Sequence, residues 1–230
     1  MQHYSNIQVS PITLEPSREA EVYGLFALAM ALTAVGVFVG MQYAPSLLSS
    51  GVHFFFLIAE LGLIFTARLW MNHTPLNYIL FGTFPILSGF TITPYILYVL
   101  SGYANGASIL LNAFGATAFM ATAAAVFART TSWNLSVFGR ALFMGLIGLI
   151  LLAIAQIFIP ALRTTQFEIM LSGGGIIIFA AFTAYDLQRI QRLSKAGMNP
   201  FLLALSLYLD IFNLFLYILR FMLVLSGSRR

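Results

Sequence analysis

The sequence predicts an all-α, polytopic membrane protein with seven transmembrane helices. Three observations carry this. Only 8% of the 230 residues are charged, against about 25% in a soluble domain. Hydrophobic residues make up 60%, and mean hydropathy is +0.92. The apolar residues fall into seven runs, each near the ~20 residues a bilayer-crossing helix needs.

Taken in order, residues 1–21 form a polar tail carrying Pro11, Pro16, Glu15, Glu19 and Glu21. The first apolar run, Val22 to Met41, is too long for the core of a cleavable signal peptide and is expected to stay as span one. Spans are expected at 22–42, 52–71, 76–100, 107–128, 136–159, 169–189 and 200–225, within one membrane domain over 22–227. Span three contains Pro85 and Pro94. Each removes a backbone donor and should kink the helix. Span four is rich in alanine and other small residues, which let membrane helices approach closely.

Lysine and arginine set the orientation. With the N-terminus inside, that face holds Arg18, Arg68, Arg129, Arg140, Arg189, Arg192 and Lys195. The other holds Arg163, Arg220, Arg229 and Arg230. The bias favours a cytoplasmic N-terminus in the inner (plasma) membrane. The terminal pair Arg229–Arg230 keeps a short or re-entrant last segment open as the alternative.

Several function classes are excluded. The net charge of +4 comes from helix ends rather than a basic stripe, so nucleic acid is not implied. The chain has no cysteine, so it has neither disulfides nor a thiol nucleophile. No nucleophile–base constellation or HExxH motif occurs, and Gly173-Gly174-Gly175 lacks the lysine and preceding strand of a phosphate loop. The glycines suit close helix packing or a flexible joint. No enzyme and no cofactor is expected.

The informative stretch is 172–227. Two apolar runs flank the turn QRLSKAGMNP, and each carries one aspartate, Asp186 and Asp210. Charge within a membrane span is costly and points to function. Both aspartates lie twelve residues from Met198, so an antiparallel hairpin brings them to the same depth. Two close carboxylates at low dielectric cannot both ionise cheaply, and they titrate as a pair. Ionised, they form an oxygen-rich site of the kind calcium takes; with only two ligands it suits passage rather than storage. The plain alternative is that each aspartate bonds a neighbour and pins two helices.

Ser206, Asp210, Asn213 and Tyr217 follow a four-three-four spacing and share a helical face. That face reads either as one side of a watery path or as a hydrogen-bonded packing seam. Glu60 lies mid-span in span two, with Arg68 near its inner end. Arg68 either snorkels to the interface or latches onto Asp186, a contact that protonation would weaken. His53 reads as interfacial, and Asn112 and Gln156 as interhelical hydrogen-bond partners.

The segments FTAYDLQRI, ALSLYLDIFNLFLYILR and ILSGFTITP, together with Glu60, resemble the Bax inhibitor family, in particular its bacterial YccA/YetJ-like branch. The resemblance covers nearly all seven spans and is strongest over the last third. It implies six helices around a central seventh. It also implies a pH-dependent calcium leak in which Asp186 and Asp210 sense protons, with Glu60 as an ion-path residue. The family's latch arginine falls where this chain has Met71; Arg68 stands one turn earlier. The expected partners are the lipid bilayer, calcium ions and protons. A competing expectation is a regulatory membrane partner without transport activity, such as a modulator of a membrane-bound protease, engaged through the 1–21 tail. A third is a proton-coupled solute transporter, which requires a roomy cavity at mid-membrane.

Overall fold

A computed structural model of the chain describes residues 17–44 and 50–227. Most of the 1–21 tail, on which the protease-partner expectation rests, lies outside the described residues, as does part of the first loop. The described residues are all-α, with six helices long and apolar enough to cross a membrane. They are α1 (Arg18–Gln42), α4 (Leu76–Gly102), α5 (Gly106–Thr130), α6 (Gly139–Phe158), α7 (Thr165–Leu193) and α8 (Pro200–Ser226). Between α1 and α4 lie two shorter pieces, α2 (Val52–Phe65) and α3 (Ala67–Trp70).

This corrects the expectation of one continuous span over 52–71. The run breaks at Thr66, whose hydroxyl donates to the Gly62 carbonyl at 2.6 Å. The Trp70 indole N–H then folds back onto the Leu63 carbonyl at 3.2 Å. Hydropathy registers neither event, because both keep the run apolar. Helix α4, by contrast, continues through Pro85 and Pro94.

The first helix begins four residues before the expected boundary. Ser17 caps it, accepting from the Ala20 amide at 3.2 Å. Glu19 and Glu21 thus occupy the first turn, where the helix dipole favours acids. Glu19 also accepts from Arg129 at the end of α5, at 3.3 Å.

Two glycines set the tightest crossing. A Cβ on Gly36 of α1 would strike the Ile86 carbonyl, and one on Gly89 of α4 would strike the Thr33 carbonyl. Without side chains there, the two backbones touch, the small-residue packing that membrane helices use in place of hydrophobic drive. The other extensive pairing is α7 with α8. Helix α8 also packs against α1, α4 and α5, and half of its apolar window is buried. Both hydrophobic clusters draw on it, one through Phe201, Leu207 and Tyr208, the other through Leu214, Ile218 and Leu223. Large rings instead point outward on α2, α5 and α6, where Phe65, Phe119 and Phe158 are each more than three-quarters exposed. Such a surface is stable against lipid and would aggregate in water.

Candidate functional site

The site is built by the α7–α8 hairpin. Helix α7 ends at Leu193, and the chain reverses through Gly197, whose φ of +81° requires a residue without a Cβ. Asn199 then caps α8, accepting from the Phe201 amide at 2.9 Å. Pro200 takes the first helical position, where its missing N–H costs nothing. The Asn199 amide donates to the Met71 carbonyl at 2.8 Å and to the Asn72 side chain at 2.7 Å. The hairpin is thereby pinned to the segment following α3.

Asp186 and Asp210 are both buried, at 3% and 7% exposure. Their carboxyls come from adjacent helices and lie within interaction range of each other. Asp186 has two further partners. Ser206, one turn before Asp210 on α8, lies close enough to Asp186 to influence its charge. Arg189, one turn along α7, donates to its Oδ1 at 3.4 Å. Asp210 is poorer: its Oδ2 is buried with no hydrogen-bond partner. A buried carboxylate oxygen left bare costs far more than one that is bonded. A proton or a cation placed between the two carboxyls would relieve that cost. Among the described residues no group of three or more acidic, histidine or cysteine side chains could hold a metal ion, so a cation here would have two carboxylate ligands.

Arg68 is exposed on α3, and no described ion pair includes it. The arginine on Asp186 is Arg189, which corrects the expected Arg68 contact. Arg189 shares a helix with Asp186, so their pair positions a side chain without bridging helices. Met71 is buried.

Glu60 is buried elsewhere, between α2 and α4. The Ser88 hydroxyl donates to its Oε1. Ser88 also meets Tyr208 of α8, whose hydroxyl lies 2.7 Å from that of Thr33 on α1. The Thr33 proton is committed to the Ala29 carbonyl, so Tyr208 donates to Thr33. Glu60 thus belongs to a buried polar cluster of side chains from four helices, separate from the aspartates.

The polar stripe of α8 divides. Ser206 and Asp210 meet Asp186, whereas Asn213 donates back to the Leu209 carbonyl of its own helix at 2.7 Å. Tyr217 fills the space over Gly175 of α7, where a Cβ would collide with its ring, and stacks on Phe179 at 5.5 Å. The glycine run at the start of span six therefore includes a seat for Tyr217. Asn112 is exposed on α5 and is not the expected interhelical partner. A cavity of about 620 Å³ lies among α1, α4, α5 and α8. Phe26, Ile92, Phe114 and Phe215 help line it, an apolar wall ill-suited to a polar solute.

A second charged cluster was missing from the sequence reading. At the far end of the hairpin, Arg220 of α8 donates to Glu168 of α7 at 2.6 Å and to Gln156 of α6 at 2.7 Å. Gln156 in turn donates to Glu168 and to the Leu162 carbonyl. The expectation of Gln156 as an interhelical partner holds, but its partners are charged.

Comparison with known proteins agrees with this architecture. The family described as inhibitor of apoptosis-promoting Bax1 matches residues 16–228. An uncharacterized protein of Campylobacter jejuni is 33% identical over 86% of this chain and 84% of its own. One from Borreliella burgdorferi is 30% identical over 92% and 91%. The inner membrane protein YbhL of Escherichia coli is likewise 30% identical over 92% of this chain and 91% of its own. With a match over nearly its whole length, the chain belongs to the Bax inhibitor family, as a multi-pass membrane protein.

Proposed function

We propose that this protein is a pH-sensitive, calcium-permeable leak of the bacterial inner membrane, and that Asp186 and Asp210 form its proton sensor and a station on the ion path. The observation that carries this is the bare, buried Oδ2 of Asp210, on a carboxyl within interaction range of a second one. Calcium is the cargo. Two carboxylates supply only part of the six to eight oxygens calcium takes, so the ion is held loosely and moves on. Protons compete for the same oxygens, so acidification weakens the hold on calcium. Arg189 is the charged group beside the pair and limits how much negative charge it presents to an arriving cation. Glu60 is a second acidic station, in the Ser88–Tyr208 cluster.

We read the bundle as seven crossings with α8 at the centre, the N-terminus cytoplasmic and α2–α3 together forming the second crossing. The burial of α8 and its packing on four helices support this. Family membership supports a non-enzymatic role.

The test is calcium flux in proteoliposomes across a pH series. Asp186→Asn combined with Asp210→Asn is expected to remove the pH response and reduce flux. An unchanged flux with an unchanged pH profile would end this reading.

A further inference from the structure

We propose that the cavity at the C-terminal end of α8 binds the phosphate group of an anionic phospholipid. The cavity has a volume of about 550 Å³ and is lined by Tyr95, Tyr98, Tyr103, Arg163, Glu168 and Arg220. It lies at the opposite end of the hairpin from the aspartate pair, and the inference does not depend on calcium passage.

The charge balance comes first. Among the described residues, two guanidinium groups line the cavity against one carboxylate, a surplus of one positive charge. Glu168 takes the Nε of Arg220, and Gln156 takes its Nη2. Arg163 spends Nε and Nη2 on the Gln156 and Ile157 carbonyls at the end of α6. Among the described hydrogen bonds, Nη1 of neither arginine is engaged. The first turn of α7 opens on the same space, with Thr164 as its cap. The N-terminus of that long helix adds partial positive charge and amide donors. Phosphate is the anion whose oxygens match several such donors at once.

The position selects a lipid source. Helices α4, α6 and α8 end near the cavity and α7 begins there, so it sits where a spanning bundle meets the headgroup layer. The tyrosines on its wall suit that layer. Leu223 and Val224 on the wall offer apolar contact to the carbons beside a lipid phosphate. Free phosphate would use the same donors but gain nothing from that wall. A bound phosphate also competes with Glu168 for Arg220, which fixes the sign of the test.

The experiment titrates the purified full chain in detergent with phosphatidylglycerol, phosphatidylcholine or inorganic phosphate, read by native mass spectrometry. Phosphatidylglycerol is expected to bind at least about tenfold more tightly than the other two, roughly the worth of one charge-assisted contact. Glu168→Gln raises the surplus charge and frees Arg220, so it should tighten phosphatidylglycerol binding severalfold. Arg163→Gln should weaken it about tenfold. Should Arg163→Gln fail to fold, Glu168→Gln decides alone. Equal binding of the two lipids, inorganic phosphate binding as tightly as phosphatidylglycerol, or weaker lipid binding by folded Glu168→Gln would each overturn the proposal.

Discussion

The two ends of the α7–α8 hairpin solve the same problem in opposite ways. Each places acidic groups between the same two helices. At the α8 C-terminal end, Glu168 meets Arg220 and Gln156, and each of these side chains is bonded across helices. At the turn end, Asp186 and Asp210 lie within interaction range of each other, the one arginine belongs to the same helix as its partner, and Asp210 keeps a bare oxygen. The first arrangement joins three helices. The second stores an unmet electrostatic demand. The fold satisfies a carboxylate at one end and leaves a carboxylate oxygen bare at the other, and this difference is what the proposed function rests on.

The contrast can be broken by stability measurements in detergent. The largest effect is expected from Arg220→Gln, which leaves the Glu168 carboxylate with Gln156 as its remaining partner and should cost about 2–3 kcal/mol. Denaturant or thermal unfolding reads it, and a loss below measurement would mean that this end is not a structural joint. Gly175→Ala comes next. Its methyl must displace the Tyr217 ring, an overpacking cost of about 1–3 kcal/mol, visible in the same assay. Asp210→Asn should be neutral or stabilising by up to about 1 kcal/mol, since it relieves a buried carboxylate without breaking an interhelical pair. A loss as large as that of Arg220→Gln would erase the contrast. The smallest effect is expected from Arg129→Gln. Its pair with Glu19 is exposed at the arginine, and such pairs contribute little, so unfolding should be unchanged.

The sequence made the turn-end site legible for a physical reason. An aspartate in an apolar run stands out, and hairpin geometry relates residues equally far from a turn. The same reasoning could not choose the arginine. Arg68, Arg189 and Arg192 all sit near that end, and hydropathy carries no information about helix rotation. Hydropathy begins span six at 169 and leaves Glu168 in a polar loop, whereas the helix starts at Thr165. A signal was present. Thr165-Gln166-Phe167-Glu168 carries the T-x-x-E pattern found near helix starts, one residue after Thr164, which caps the helix. Arg220 counts toward topology in the sequence, yet a lone arginine inside an apolar helix needs a partner as much as an aspartate does. The six long helices were readable from hydropathy. The break at Thr66 was not, because a hydroxyl bonded back to its own helix leaves the run apolar.

The central claim is that Asp186 and Asp210 act as one unit, and the measurement that tests it most directly is a double-mutant cycle on the pH response of calcium flux. Proteoliposomes carrying Asp186→Asn, Asp210→Asn and the combination are compared with wild type. A shared site requires each single substitution to abolish the response as fully as the pair does, the non-additivity of groups in one network. Two partial losses that sum to the effect of the double variant would show two independent groups and contradict the account.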